Sequence, residues 1–290
     1  MTILHDLYRN PNAKRRRVGR SGEWPTQQGL ANDSTLLDPH APHRPTSQEA
    51  RVAMEGRVAE TAFLADWADM VFIHFEVDPD ELQKVVPFTL DLFEGKAYVS
   101  LVAFTMNRMR PALGGKATEW ITKPIATHQF LNLRTYVNHR GRTGIFFMKE
   151  WLNERLAVML GPKTFGLPYH YAKVDYLNDE MHCAGRVVGE SGEIAYDGRK
   201  VNRLAPAVPG TRDAFFLERY TAFTNAGRRP QFFRVWHQPW KVGAITGFTL
   251  KRKTLFGSLR ERWAETAKLA GAHWSPGVFD VWMGRPHAVG

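Results

Sequence analysis

"FLNLRTYV", residues 130–137, is the stretch on which the fold turns. Side chains of an extended chain alternate between two faces. Phe130, Asn132, Arg134 and Tyr136 therefore share one face, and Leu131, Leu133, Thr135 and Val137 the other. The second face is apolar and has to pack. The first carries an amide, a guanidinium and a phenol. "HRGRTG" (139–144) reads as a hairpin turn and "IFFMKEW" (145–151) as the return strand.

Further strands are expected on both sides of this hairpin. "WADMVFIHFEV" (67–77) and "AYVSLVAFTMNRM" (97–109) are rich in aromatic and β-branched residues. Between them, "DPDELQKVVP" (78–87) has a capping Asp78, Pro79 at the first helical position and a terminating Pro87. Helical spacing of Leu156, Ala157, Met159 and Leu160 predicts a helix over 152–163, with Gly166 as a stop and Pro168 blocking continuation. Strands are predicted at 169–177, 181–189, 193–203, 231–237, 243–251 and 278–284, with helices over 211–222 and 257–270. Strands dominate, with short helices between them. That order predicts a mainly β, α+β protein: a closed or nearly closed sheet structure with flanking short helices.

The chain has 290 residues, enough for one large domain and an arm. Residues 1–60 are polar and basic, rich in Pro, Asn and Ser, and read as an arm that is partly disordered or docked, helical near 47–60. Residues 61–290 read as the single folded body. Cys183 is the only cysteine, which excludes an internal disulfide and a cysteine-based metal cage. No run of about eighteen apolar residues and no secretory pattern is visible, so a cytoplasmic protein without a membrane partner is expected. The net charge is +10. Basic residues from Arg219 to Arg262 are opposed only by Glu261, and "KRRR" (14–17) is a second cluster. Charge alone supports a polyanion-binding alternative, but no nucleic-acid module is present and nucleic acid is not expected. No metal-ligand spacing, phosphate loop or Gly-x-Ser-x-Gly elbow occurs, so neither metal nor cofactor is expected.

Several segments in order, "FIHFEVDPDELQKVVP", "FEGKAYVSLVAFTMNRMRP", "FLNLRTYV", "GIFFMKEWLNERLAVMLGPKTFGLPYHYAKV", "FLERYTAF" and "HWSPGVFDVW", resemble the YqjF-like proteins. That family has no settled activity and is placed in the acetoacetate-decarboxylase-like superfamily. The resemblance runs from about Trp67 to Trp282. It implies a twisted, cone-shaped β-barrel with flanking helices and an interior cavity, and often self-association. In the decarboxylases a Gly-Arg-Glu-x-x-Gly-x-Pro-Lys-Lys stretch supplies the Schiff-base lysine and a second lysine that lowers its pKa. Here Gly161, Gly166 and Pro168 match, and Tyr169 and His170 stand at the two lysine positions. Lys163 falls where that pattern has its acid, too far from the missing amine to replace it. Lys149 or Lys173 would have to compensate. The resemblance thus implies a cavity without lysine–imine decarboxylation.

The expected function is binding, with or without turnover, of a small organic acid or carbonyl compound. Any enzymatic activity would be lyase-like and imine-free; the alternative is a non-catalytic binder of a small ligand or polyanion. Arg134 is expected either to clamp a carboxylate or phosphate through two parallel hydrogen bonds, or to hold a structural pair. Asn132 and Tyr136 share its face. Tyr169, at the former lysine position, either hydrogen-bonds a carbonyl oxygen, acts as an acid or plugs the cavity. His170 flanks it, and alternation allows only one of the two to face inward. His74 and Glu76 alternate onto one face of "FIHFEV", where either the carboxylate orients the imidazole or, same-face neighbours on one strand being poorly placed for a direct bond, His74 is a satisfied structural residue. In "RVWHQPW" (234–240), Trp236 and Trp240 flank His237 and serve either a ligand or the core.

Overall fold

Strands β1 (Thr61–Val77), β3 (Ala97–Pro111), β4 (His128–His139) and β5 (Arg142–Leu152) form a continuous antiparallel wall, and β13 (Lys268–Gly284) pairs with β1 on its far side. The structure is a computed structural model that describes residues 42–114, 118–190, 192–225, 229–253 and 262–290. The basic cluster at 14–17 lies outside these residues.

The remaining strands lead round from β5 to β13 by two routes. One runs through β6 (Tyr169–Asn178), β7 (His182–Gly189), β8 (Gly192–Lys200) and β12 (Lys241–Lys253). The other is shorter, through β10 (Thr221–Thr224) and β11 (Gln231–Trp236). Three two-residue strands, β2 (Thr89–Leu90), β9 (Ala205–Pro206) and β14 (His287–Ala288), sit at the margins.

The common wall is buried on both faces, which is why its strands read as near-continuous apolar runs. Val71, Ile73, Leu101, Leu131 and Leu133 pack into one core with residues of β6, β7 and β8. Phe72, Val102, Phe104, Phe130 and Tyr136 pack into a second core with α5 (Arg212–Leu217) and β11. The alternation in residues 130–137 thus divides the strand between two cores, its mixed polar face belonging to the second.

The other helices are short: α1 (Ser47–Glu55), α2 (Pro79–Gln83), α3 (Glu119–Thr122), α4 (Arg155–Phe165) and α6 (Arg262–Thr266). Asp78 caps α2 through the backbone amides of Asp80 and Glu81. Helix α4 ends on left-handed Gly166, and Pro168 follows. Helix α1 carries a capping box at Thr46 and Glu49, and buries Ala50 and Met54 against Tyr220 and Trp236.

Two expected helices are corrected. The one over 257–270 is reduced, among the described residues, to α6, and residues from Lys268 are strand. Pairing of His74 with Gly271 and Ile73 with Ala272 overrides the helical propensity of that alanine-rich stretch. The helix over 211–222 stops at Leu217, because residues 221–224 are drawn into a ladder between β5 and β11.

Candidate functional site

A cavity of about 80 Å³ lies beside the polar face of β4, on the side of the shorter route. That space is several times the roughly 10–15 Å³ needed for one water. Cross-strand register builds its wall in rows. Val102, Asn132, Glu150 and Tyr169 are successive partners across β3, β4, β5 and β6, and all four line the cavity. Arg134, two residues along β4, lines it as well, opposite Phe147. Arg219, Thr221, Phe233, His237, Trp240 and Trp67 complete much of the remaining wall.

Arg134 is only 9% exposed. Its Nη2 donates to the Phe216 carbonyl at 3.3 Å, its Nε has no partner, and no carboxylate lies within ion-pair distance among the described residues. A buried guanidinium left this way is costly, because burial removes hydration that one long carbonyl bond and the nearby Tyr136 only partly replace. Arg219 is treated differently. Its Nη1 meets Asp91 at 2.6 Å and its Nε donates to the Phe215 carbonyl, while Nη2 has no partner. Asp91 is shared with Arg44. One carboxylate thus serves two guanidinium groups, and with Arg134 the surroundings of the cavity are electropositive.

Glu150 is 3% exposed, and burial pushes its carboxyl well above the usual range, with nearby Arg134 only partly opposing. Burial therefore favours its neutral form. Its Oε2 has no partner, nor have Asn132 Oδ1 and Trp67 Nε1. Buried polar atoms are ordinarily paired, so this concentration around one hollow marks a place for a polar guest or water. Burial, then Glu150, raises the Tyr169 phenol well above its normal value, so it too stays protonated. The Tyr169 ring rests against Phe130 and on Gly161 of α4, where a Cβ would overlap it.

Glu150 is missing from the sequence-based candidates because of a β-bulge. Strict alternation from Ile145 and Phe147 would turn Lys149 inward. The register shifts instead: Arg134 pairs with Phe147, whereas Leu133 pairs with Lys149. Met148 is the extra residue, and Glu150 takes the inward place. Arg219 was visible only as one charge in a basic stretch. Its partner Asp91 lies 128 positions away. His237 and Trp67 were quoted only within longer motifs.

The other candidates are distributed otherwise. Tyr136 is buried behind the cavity, and its hydroxyl bonds Ser100 Oγ at 2.6 Å. Ser100 in turn meets His74 Nδ1 at 2.7 Å, and His74 is stacked on Phe216 and held well below the usual imidazole range, first by burial. His74 and Glu76 are not brought together. Glu76 reaches outward to pair with Lys96 at 2.9 Å, so the expected carboxylate–imidazole couple is corrected. His170 is exposed, on the opposite side of β6 from Tyr169, because alternation leaves room for one of them. Trp236 lies outside the cavity, donating Nε1 to Ser47 Oγ and packing under α1. Among the described residues no lysine lines the cavity: Lys163 is an exposed residue of the last turn of α4, and Lys173 is exposed on β6.

Among the described residues, no group of three or more His, Cys, Asp or Glu is arranged to hold a metal ion, and no helix is long and apolar enough to cross a membrane.

Uncharacterized protein YqjF of Bacillus subtilis (strain 168) is 29% identical to this chain over 184 residues, covering 60% of this chain and 72% of that protein. Among solved structures, acetoacetate decarboxylase from Legionella pneumophila is similar, with a TM-score of 0.57 and 13% identity over 79% of this chain and 87% of that one. An acetoacetate decarboxylase-like enzyme from Sphingomonas wittichii gives 0.55 and 14% over 79% and 94%. These likenesses show a shared fold. A family model described as an uncharacterized conserved protein, DUF2071, matches residues 64–279, and the chain belongs to that family.

Proposed function

We propose that the cavity binds a small organic acid or carbonyl compound, with Arg134 holding the anionic group. The observation that carries this reading is the burial of Arg134 without a carboxylate partner beside a hollow lined by other unpaired polar atoms. A bound carboxylate supplies two oxygens to a fork of N–H donors, which offsets the desolvation of the charge. Neutral Glu150 and Tyr169 are O–H donors suited to a carbonyl or hydroxyl oxygen of the same ligand. The circuits of paired strands support a barrel-like enclosure around this ligand.

A reaction at this site would proceed without an imine, since among the described residues the cavity has no lysine amine to form one. The chemistry on offer is polarisation of a carbonyl by hydrogen-bond donors, a lyase-like setting. The same donors also serve a binder that releases its ligand unchanged. A polyanion role has less support. Of the basic stretch, Arg219 is turned inward to Asp91 and Arg234 is paired with Glu60 at 2.9 Å. A cytoplasmic setting is consistent with the single, buried thiol of Cys183, whose pKa burial raises to about 11.

A thermal-shift panel of keto acids, hydroxy acids and aromatic acids tests the reading, because a ligand of the native state raises the melting temperature whether or not it turns over. Acids should raise it in the natural protein and not in Arg134→Gln. Equal shifts in both proteins would remove Arg134 from the binding site.

A further inference from the structure

Tyr169 lines two hollows. Beyond the polar cavity lies an apolar groove of about 480 Å³ between α4, α3 and the end of β3. Met106, Leu167, Tyr169, Phe233 and Met283 line both. Among the described residues no Asp, Glu, Lys or Arg lines the groove. Its hydroxyls are consumed by the backbone: Thr122 donates to the Met109 carbonyl at 2.6 Å and Thr164 to the Leu160 carbonyl at 3.0 Å. His128, at its edge, is kept neutral by burial, its pKa lowered to about 4. The two hollows therefore differ on either side of one aromatic ring: the first sets Asn132, Arg134, Glu150 and Arg219 among apolar side chains, and the groove is almost wholly apolar.

Resting on the acid-binding reading above, we infer that the natural ligand is an amphipathic monocarboxylate: its head sits at Arg134 and its apolar tail passes Tyr169 into the groove. The small polar cavity accommodates little more than a head group. The groove is several times larger and, apart from the neutral imidazole of His128 at its edge, offers hydrocarbon and aromatic surface. A ligand of one polar end and one apolar end matches both compartments, which adjoin across Met106, Leu167, Tyr169, Phe233 and Met283.

The test is calorimetric titration of the full chain with straight-chain carboxylates from acetate to decanoate, kept below micelle-forming concentrations. Once the chain is long enough to pass Tyr169, affinity should rise about fourfold per methylene, as burial of each CH₂ predicts. Ile121 lines the groove and is half exposed, so Ile121→Glu should fold. It should weaken the longer acids at least tenfold and leave acetate and butanoate unchanged. Arg134→Met should weaken every length. Short acids that bind through Arg134 with no dependence on chain length would overturn the amphipathic ligand and leave the acid site standing. So would a length dependence unaltered in both Ile121→Glu and Leu160→Gln. Failure of acids of every length to bind would overturn both readings.

Discussion

Glu150 and Tyr169 are direct register partners on the parallel strands β5 and β6, and both line the same cavity. The Glu150 amide also donates to the Pro168 carbonyl at 3.0 Å, which ties the strand carrying the acid to the residue before the phenol. Burial keeps both groups protonated, and a charge on Glu150 would push the phenol higher still. The pair lines the cavity together with the guanidinium groups of Arg134 and Arg219. The proposed anionic ligand would meet donors of both kinds there.

The raised carboxyl of Glu150 has a stability signature. Its folded pKa lies above the unfolded value, near 4.5, so above that pH the unfolded chain releases a proton the folded one retains. Stability contributed by this group is full below 4.5 and declines as pH rises towards the folded pKa, by at most about 1.4 kcal/mol per pH unit. Glu150→Gln removes the titration and keeps the shape. Denaturant unfolding from pH 5 to 8 should show the variant gaining on the natural protein as pH rises. A pH-independent difference would mean that Glu150 is already ionised in the fold.

Replacement of Arg134 by methionine should raise the melting temperature of the ligand-free protein. A buried charge without a partner costs more than a well-packed apolar chain of similar length, and such exchanges are often stabilising by about 1–4 kcal/mol. The gain accompanies loss of acid binding, the usual opposition between stability and a working site. Destabilisation on the scale of a core truncation, about 2–5 kcal/mol, would instead make Arg134 a structural residue.

Gly161 and Tyr169 can be tested together. Alanine in a helix interior is favoured over glycine by about 1 kcal/mol. Here its Cβ would overlap the Tyr169 ring, and overpacking costs about 1–3 kcal/mol. The clash should win, so Gly161→Ala is expected to destabilise. With Tyr169→Ala in the background the ring is gone and the same change should stabilise. A double-mutant cycle reads the reversal directly, and the same sign in both backgrounds would show that the ring is free to move aside.

What the sequence revealed followed from local period. Residues 130–137 alternate without interruption, so the grouping of Asn132, Arg134 and Tyr136 on one face was legible from their order. Alternation likewise put Tyr169 and His170 on opposite faces, but which one turns inward is decided by the register with Glu150. Glu150 was hidden because an extra residue in β5 reverses the parity, and no residue type in "IFFMKEW" marks a bulge. The second guanidinium was hidden because its meaning depends on Asp91, which only the fold brings to it. Whether Trp236 serves a ligand or the core was not legible, because an aromatic beside basic residues looks alike under a helix and under a ligand; the structure packs it under α1. The strand from Lys268 was misread in part because cross-strand pairing, which local propensity does not contain, decided it.

Asp91 should be among the most sensitive positions in the chain. It is buried, bonded to Arg219 at 2.6 Å and to Arg44 at 2.6 Å, and its loss leaves Arg219 charged and enclosed. Removing one member of a buried pair costs about 3–5 kcal/mol. Arg44 is partly exposed and regains water when freed, so Arg44→Ala should cost about 1 kcal/mol or less. Urea unfolding of Asp91→Asn and Arg44→Ala tests the ranking. Equal costs would mean that Asp91 serves the outer arginine as much as the inner one.

The buried imidazoles give the protein an acid limb that runs against the Glu150 effect. His74, His128 and His237 all have pKa values lowered, in each case first by burial. For a histidine whose folded pKa is depressed, the unfolded chain takes up a proton below about 6.5 and the folded chain does not. Stability is therefore full above 6.5 and falls as pH drops towards the folded value. For His128 that window runs from about 6.5 down to about 4. Three such groups outweigh one glutamate of opposite sign, so stability should decline from pH 7 to pH 5 despite the gain at Glu150. His128 has an unpartnered Nδ1, which makes His128→Gln the cleanest probe. It should flatten the acid limb by up to about 1.4 kcal/mol per pH unit between 6.5 and 4 while leaving the stability difference constant above pH 7. An unchanged acid limb in that variant would show that His128 gains its proton in the folded protein, which requires water to reach the edge of the apolar groove.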